Sequence, residues 1–157
     1  MAFQQEAAMP LLDERVQKQV RSALSGVKHP VKLLMFTQGD GGALECDYCS
    51  ETRNLVEEVG GLSDKIEVEI RDFQRDAELA ARYGVDKIPA IVMLGGGENP
   101  KDHGIRFYGI PSGYEFSSFI EGLRTIGTGE SGLSAHTLET IAGITRPVHI
   151  QVFVTPT

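Results

Sequence analysis

Two cysteines three residues apart, Cys46-Asp-Tyr-Cys49, sit between an apolar run and a helical pattern, and few folds accommodate that arrangement. Before them, Val31-Lys-Leu-Leu-Met-Phe-Thr37 is almost continuously apolar, as in a strand covered on both faces within a parallel sheet. A glycine-rich loop, Gln38–Leu44, follows it. After the cysteines, Leu55, Val56 and Val59 mark the inner face of a helix that stops near Gly60-Gly61. The pair therefore opens a helix. Residues so placed lie on nearly one face with Cα atoms about 5–6 Å apart, the separation a disulfide needs.

The flanking patterns supply the remaining elements. Val16, Val20, Ala23, Leu24 and Val27 recur at intervals of three and four and predict a helix over Leu12–Leu24. Ile66, Val68 and Ile70 alternate with charged residues, as in a strand with one wet face. Asp76–Tyr83 reads as a short helix ended by Gly84, and Ala90–Leu94 as an apolar strand. Gly95–Gly104 reads as a hairpin loop returning through Ile105–Gly109. Ser112 and Glu115 have capping-box spacing ahead of a helix buried through Phe116, Phe119, Ile120 and Leu123. Ser134 is placed as the N-cap of a last helix, with Leu133 and Leu138 as its hydrophobic staple. Helical crossovers join the first three strands and a hairpin joins the last two, which predicts an α/β fold with a mixed four-stranded sheet and helices on both faces. That is the thioredoxin topology.

Composition narrows the function. A net charge of −7 lacks the concentration of Lys and Arg that phosphate binding requires, so nucleic acid is not an expected partner. The longest apolar stretches are strand-sized, far below the ~20 residues that span a bilayer, and no membrane role is expected. Met1–Met9 has neither a basic start nor an apolar signal core, which makes a cytoplasmic location the expectation. In a reducing compartment two close cysteines point to catalysis or metal rather than to a structural bridge.

At a helix start, unpaired N–H groups and the positive end of the macrodipole favour a thiolate on Cys46, the expected nucleophile. Cys49, expected one turn in on the side of Val56, is less accessible and suits the resolving role. Glu45 and Asp47 oppose the Cys46 thiolate, and Lys87 would offset them if its loop lies against the motif. A cis Ile88–Pro89 bond is expected before the third strand, freeing the N–H and C=O of Ile88 to pair with an extended substrate segment. Tyr48 is a further candidate for substrate contact or for shielding Cys49. No carboxylate interrupts Val31–Thr37, so Glu51 or a bound water would have to carry a proton. No cofactor or metal is called for in this chemistry.

Three alternatives stand beside it. A Cys-x-x-Cys pair is also half of a zinc site, although His29, His103, His136 and His149 show no paired ligand spacing. A glutaredoxin-like chain can share an iron–sulfur cluster with a second copy. A non-catalytic interaction module can keep the fold with incidental cysteines.

The chain also echoes itself. Pro30-Val-Lys-Leu-Leu-Met-Phe36 and Pro147-Val-His-Ile-Gln-Val-Phe153 match in Pro, Val and Phe, 117 residues apart, and at that offset Ala135–Ala142 falls opposite the end of the first helix. Residues 1–131 are thus expected to form one unit, and 132–157 the first helix and strand of a truncated second unit. Such a strand has unpaired edges, and a dimer through 147–157 is a further expectation.

With Cys46-Asp-Tyr-Cys49 at a helix start and Tyr83-Gly-Val-Asp-Lys-Ile-Pro89 leading into a strand, the sequence resembles the glutaredoxin-like protein disulfide oxidoreductases of archaea and thermophilic bacteria, over nearly all of Leu12–Thr157. The resemblance implies two thioredoxin-fold units per chain, each with its own Cys-x-x-Cys, that reduce, form or isomerise protein disulfides. It also implies disulfide-containing protein substrates and electrons from a thioredoxin-reductase-type flavoenzyme using NADPH. Only the first cysteine pair is present here, so the second unit's residues do not carry over.

Overall fold

The computed structural model describes residues 10–39 and 42–155. Met1–Met9, Asp40 and Gly41 within the glycine-rich loop, and Pro156 and Thr157 at the end of the expected second unit lie outside them. The elements are α1 (Glu14–Leu24), β1 (Val31–Thr37), α2 (Cys49–Gly60), β2 (Ile66–Asp72), α3 (Ala77–Arg82), β3 (Ala90–Gly95), β4 (Lys101–Tyr108), α4 (Tyr114–Thr128) and α5 (Ala135–Ala142). The sheet order is β2-β1-β3-β4, with β1 parallel to β2 and both other pairings antiparallel. This is the expected mixed four-stranded α/β arrangement of the thioredoxin fold.

The continuous apolar run of β1 follows from its central place, since successive side chains point to opposite faces and both faces are covered. Val31, Leu33 and Met35 join Ile91 and Met93 of β3 beneath α1, α2 and α4, through Val20, Leu24, Leu55, Val56, Val59, Phe119 and Leu123. Leu34 and Phe36 face the other way with Val92 and Leu94, covered by Ala80 of α3 and by Val85. Asp13 caps α1 by accepting the Val16 N–H at 2.8 Å. The Glu58 carboxylate of α2 accepts the N–H groups of Leu11 and Leu12 and the Gln17 amide, fixing how α1 enters the fold.

Three expectations change in the tertiary structure. The hairpin strand begins at Lys101, not Ile105, because a register shift between Met93 and Leu94 absorbs His103 and Gly104 and lets pairing resume at Leu94 with Asp102. Gly104 takes the positive φ of 76° at that irregularity, a conformation that favours glycine. The capping box does not form: Gly113, with φ of 60°, is the N-cap of α4, which displaces Ser112 from the capping position. The third change concerns the end of the chain. Ser134 does cap α5, accepting the Thr137 N–H, but α5 buries none of its residues, and Leu133 and Leu138 are exposed. The segment expected as a strand at Pro147–Phe153 is not in the sheet, and Val148, Ile150, Val152 and Phe153 are exposed. Strand pattern alone does not make a strand without a partner edge.

Candidate redox site

The site lies where β1 hands over to α2. Asp72, at the end of β2, accepts the backbone N–H groups of Gly39, Gln74 and Arg75, which hold its carboxyl below the ordinary value and tie the loop after β1 to the neighbouring strand. The Gln38 side chain accepts the Leu44 N–H at 3.1 Å. This loop delivers Cys46 to a turn just ahead of α2, whose first residue is Cys49. Cys49 thus starts the helix rather than lying one turn into it.

Cys46 and Cys49 form a disulfide with Cα atoms 5.5 Å apart. The two cysteines are not equally exposed: Cys46 is half-buried and Cys49 is only 6% exposed, with Leu55 and Val56 buried further along the same helix. Among the described residues no side chain caps α2, so its first-turn amides are not taken up by a capping group. Tyr48 occupies the N-cap position and accepts the Thr52 N–H through its carbonyl, while its side chain is exposed.

The Ile88–Pro89 bond is cis, as expected. Pro89 is buried and Ile88 half-buried, and the Pro89 carbonyl accepts the Gly109 N–H at 2.9 Å. Among the described residues Ile88 makes no backbone hydrogen bond through its N–H or C=O. Lys87 is engaged within its own loop and with β4. Its ammonium pairs with Asp86 and lies 4.5 Å from the centre of the Tyr108 ring, and the Asp86 contact raises its pKa. Glu51 is exposed on α2.

A groove of about 720 Å³ adjoins the site, lined by Tyr48, Tyr83, Gly84, Tyr108 and Glu115 and by residues 148–154. Of the predicted site residues Tyr48 lines it; Cys46, Cys49, Ile88 and Pro89 do not. Desolvation there raises the Glu115 pKa. Two further residues were not singled out from sequence. Thr52, one turn beyond Cys49, is fully buried with its hydroxyl unpartnered among the described residues, and its spacing from Cys49 was a usable signal. Arg106, on the edge strand β4, carried none. Among the described residues no group of three or more His, Cys, Asp or Glu could hold a metal ion, and the four histidines do not join the cysteines. No helix among them is long and apolar enough to cross a membrane.

No family model matches the chain. AhpF, a component of alkyl hydroperoxide reductase, is 26% identical in its Pseudomonas aeruginosa form over 136 residues, covering 85% of this chain and 22% of that protein. Among solved structures, a protein disulfide oxidoreductase from Aeropyrum pernix superimposes with a TM-score of 0.77 at 25% identity, over 93% of this chain and 62% of that one. The AhpF of Enterococcus faecalis gives a TM-score of 0.74 at 25% identity, over 84% of this chain and 60% of that one. The chain thus spans about a fifth of the curated relative and about three fifths of the solved ones. The chain is thus a thioredoxin-fold unit with a Cys-x-x-Cys disulfide, similar in sequence and fold to AhpF and to a protein disulfide oxidoreductase.

Proposed function

We propose that the chain is a thiol–disulfide oxidoreductase working by dithiol–disulfide exchange at Cys46 and Cys49. The observation that carries this reading is a disulfide at an uncapped helix N-terminus with one cysteine half-buried and the other buried. In the reducing direction the Cys46 thiolate attacks one sulfur of a substrate disulfide, and the other sulfur leaves as a thiolate that takes a proton from water. Cys49 then attacks Cys46 of the mixed disulfide, releasing the second substrate thiol and closing the Cys46–Cys49 bond. The substrate gains two electrons and the pair loses two. The reverse sequence forms a disulfide in the substrate.

Access favours Cys46 as the attacking thiol, and first-turn amides together with the helix dipole support its thiolate. Ile88, with its backbone groups unused, and Pro89 and Tyr48 form the binding edge for an extended substrate segment. Substrates are disulfide-containing proteins of the cytoplasm, and the reductant is a thioredoxin-reductase-type flavoenzyme. Residues 132–157 correspond to the start of a second unit, with its helix formed as α5 and its strand segment unpaired, a reading supported by the capped α5 and by the match over 93% of the chain. A dimer through 147–157 would be supported by the exposure of Val148, Ile150, Val152, Phe153 and Val154. The likeness to AhpF favours a second reading, in which the pair relays electrons toward hydroperoxide reduction.

The test is insulin reduction and ribonuclease reoxidation by the full chain. Cys46→Ser is expected to abolish both, and Cys49→Ser to trap a mixed disulfide through Cys46. No thiol-dependent turnover by the unaltered chain would overturn the reading, and turnover only with a hydroperoxide-reducing partner would select the second.

A further inference from the structure

The loop carrying Ile88 and Pro89 has few anchors of its own. Val85 is buried and its N–H bonds the Ala80 carbonyl, but Gly84, Asp86 and Lys87 are exposed. Besides the Gly109 N–H that donates to the Pro89 carbonyl, side chains of β4 hold it. The Arg106 Nε–H donates to the Tyr83 carbonyl at 3.0 Å, with the guanidinium 5.8 Å from the Tyr83 ring. The Tyr108 hydroxyl donates to the Gly84 carbonyl at 3.4 Å, and Lys87 lies over the Tyr108 ring.

Arg106 is the best fixed of these. Its two terminal nitrogens donate to both oxygens of Asp102, at 2.9 and 2.7 Å, and its side chain is 17% exposed. A bidentate fork of this kind orients the guanidinium plane, which a lysine cannot reproduce. Asp102 in turn accepts the Gly104 N–H at 2.8 Å, so the irregularity in β4 sets the carboxylate that sets the arginine.

We infer that Arg106 is a positioning residue for substrate binding: held by Asp102, it clamps the Tyr83–Pro89 loop to β4 and presents the Ile88 backbone in the geometry a polypeptide disulfide needs. The inference rests on the proposed exchange at Cys46 and Cys49, and it assigns specificity to a residue outside the cysteine motif and the proline loop. A large substrate uses the loop edge, whereas a small disulfide needs only the sulfur. The role therefore separates the two.

The experiment measures steady-state kinetics of the full chain on insulin and on the small disulfide 5,5′-dithiobis(2-nitrobenzoate), with the potential of the cysteine pair and amide hydrogen exchange alongside. Arg106→Met is expected to raise KM for insulin about tenfold, the effect of losing one well-placed charged hydrogen bond. kcat, the small-disulfide rate and the potential should stay unchanged, and Val85–Ile88 amides should exchange faster while core amides do not. Arg106→Lys should recover only part of the loss. If Arg106→Met fails to fold, Asp102→Asn, which weakens the fork without removing the arginine, is expected to raise the insulin KM about threefold. Equal losses on both substrates, or an insulin KM unchanged in Arg106→Met or, where that variant does not fold, in Asp102→Asn, would overturn the inference and leave the exchange reading intact. An unaltered chain inactive on both substrates would overturn the exchange reading, and the inference with it.

Discussion

Thr52→Val should make the oxidised protein more stable. Thr52 is 0% exposed, follows Cys49 by one turn of α2, and its Oγ1 has no hydrogen-bond partner among the described residues. A buried hydroxyl in that condition costs about 1–3 kcal/mol, and the added methyl contributes up to about 0.8 kcal/mol of burial in its place. Valine and threonine have nearly the same shape and similar helix propensities, so neither a cavity nor a local helix penalty intervenes. A gain of about 1–3 kcal/mol is expected, raising Tm by roughly 3–10 °C for a chain of this size. The assay is urea and thermal unfolding without reductant, because opening the disulfide places new S–H groups one turn away. Thr52→Ser, which keeps the hydroxyl and removes the methyl, should lose about 1 kcal/mol. Thr52→Val equal in stability to the parent, or less stable, with an unchanged m-value would show the hydroxyl to be satisfied and the reasoning wrong.

Glu58→Ala leaves the Leu11 and Leu12 N–H groups without their carboxylate and should cost about 1–2 kcal/mol in urea unfolding. Phe119→Ala removes a fully buried ring packed edge-to-face on Phe107 at 5.4 Å, for an expected loss of about 3–5 kcal/mol. The pH dependence has two opposite parts. Hydrogen bonds from Lys32 and Arg71 depress the Glu69 pKa, and those from Arg106 and the Gly104 N–H depress that of Asp102. Folded pKa values below the unfolded ones give stability that is complete above the unfolded values and lost as pH falls through the folded ones. Acid titration of unfolding should therefore show falling stability below about pH 4. Burial raises the Glu115 pKa, so that residue opposes folding once ionised. Glu115→Gln should raise stability at neutral pH and leave it unchanged in acid, a difference that urea unfolding at both pH values measures.

The strands and helices of the first unit were largely readable because their patterns are local. β1 announces burial on both faces by its unbroken apolar run, and β2 announces one wet face by alternation. The misreadings arose where backbone geometry overrode composition. Gly113 moved the start of α4 past Ser112, and the irregularity at Gly104 extended β4 toward its own turn. Pro147–Phe153 has a strand's composition but no hydrogen-bonding edge beside it, and pairing is a property of two segments, not one.

The same division holds at the site. From sequence alone came the cysteine pair, its place at a helix start and the proline loop that follows in the chain, because spacing within one helical turn and the restrictions of proline act over a few residues. The lower accessibility of Cys49 also followed from its side of the helix; only the tertiary structure decided that Lys87 turns to Asp86 and Tyr108, and that Arg106 reaches the Tyr83 carbonyl. Those contacts join residues up to 23 positions apart. No local pattern encodes them, since they depend on the register of β4 against β3 and on the crossover that brings α3 and its loop beneath that edge.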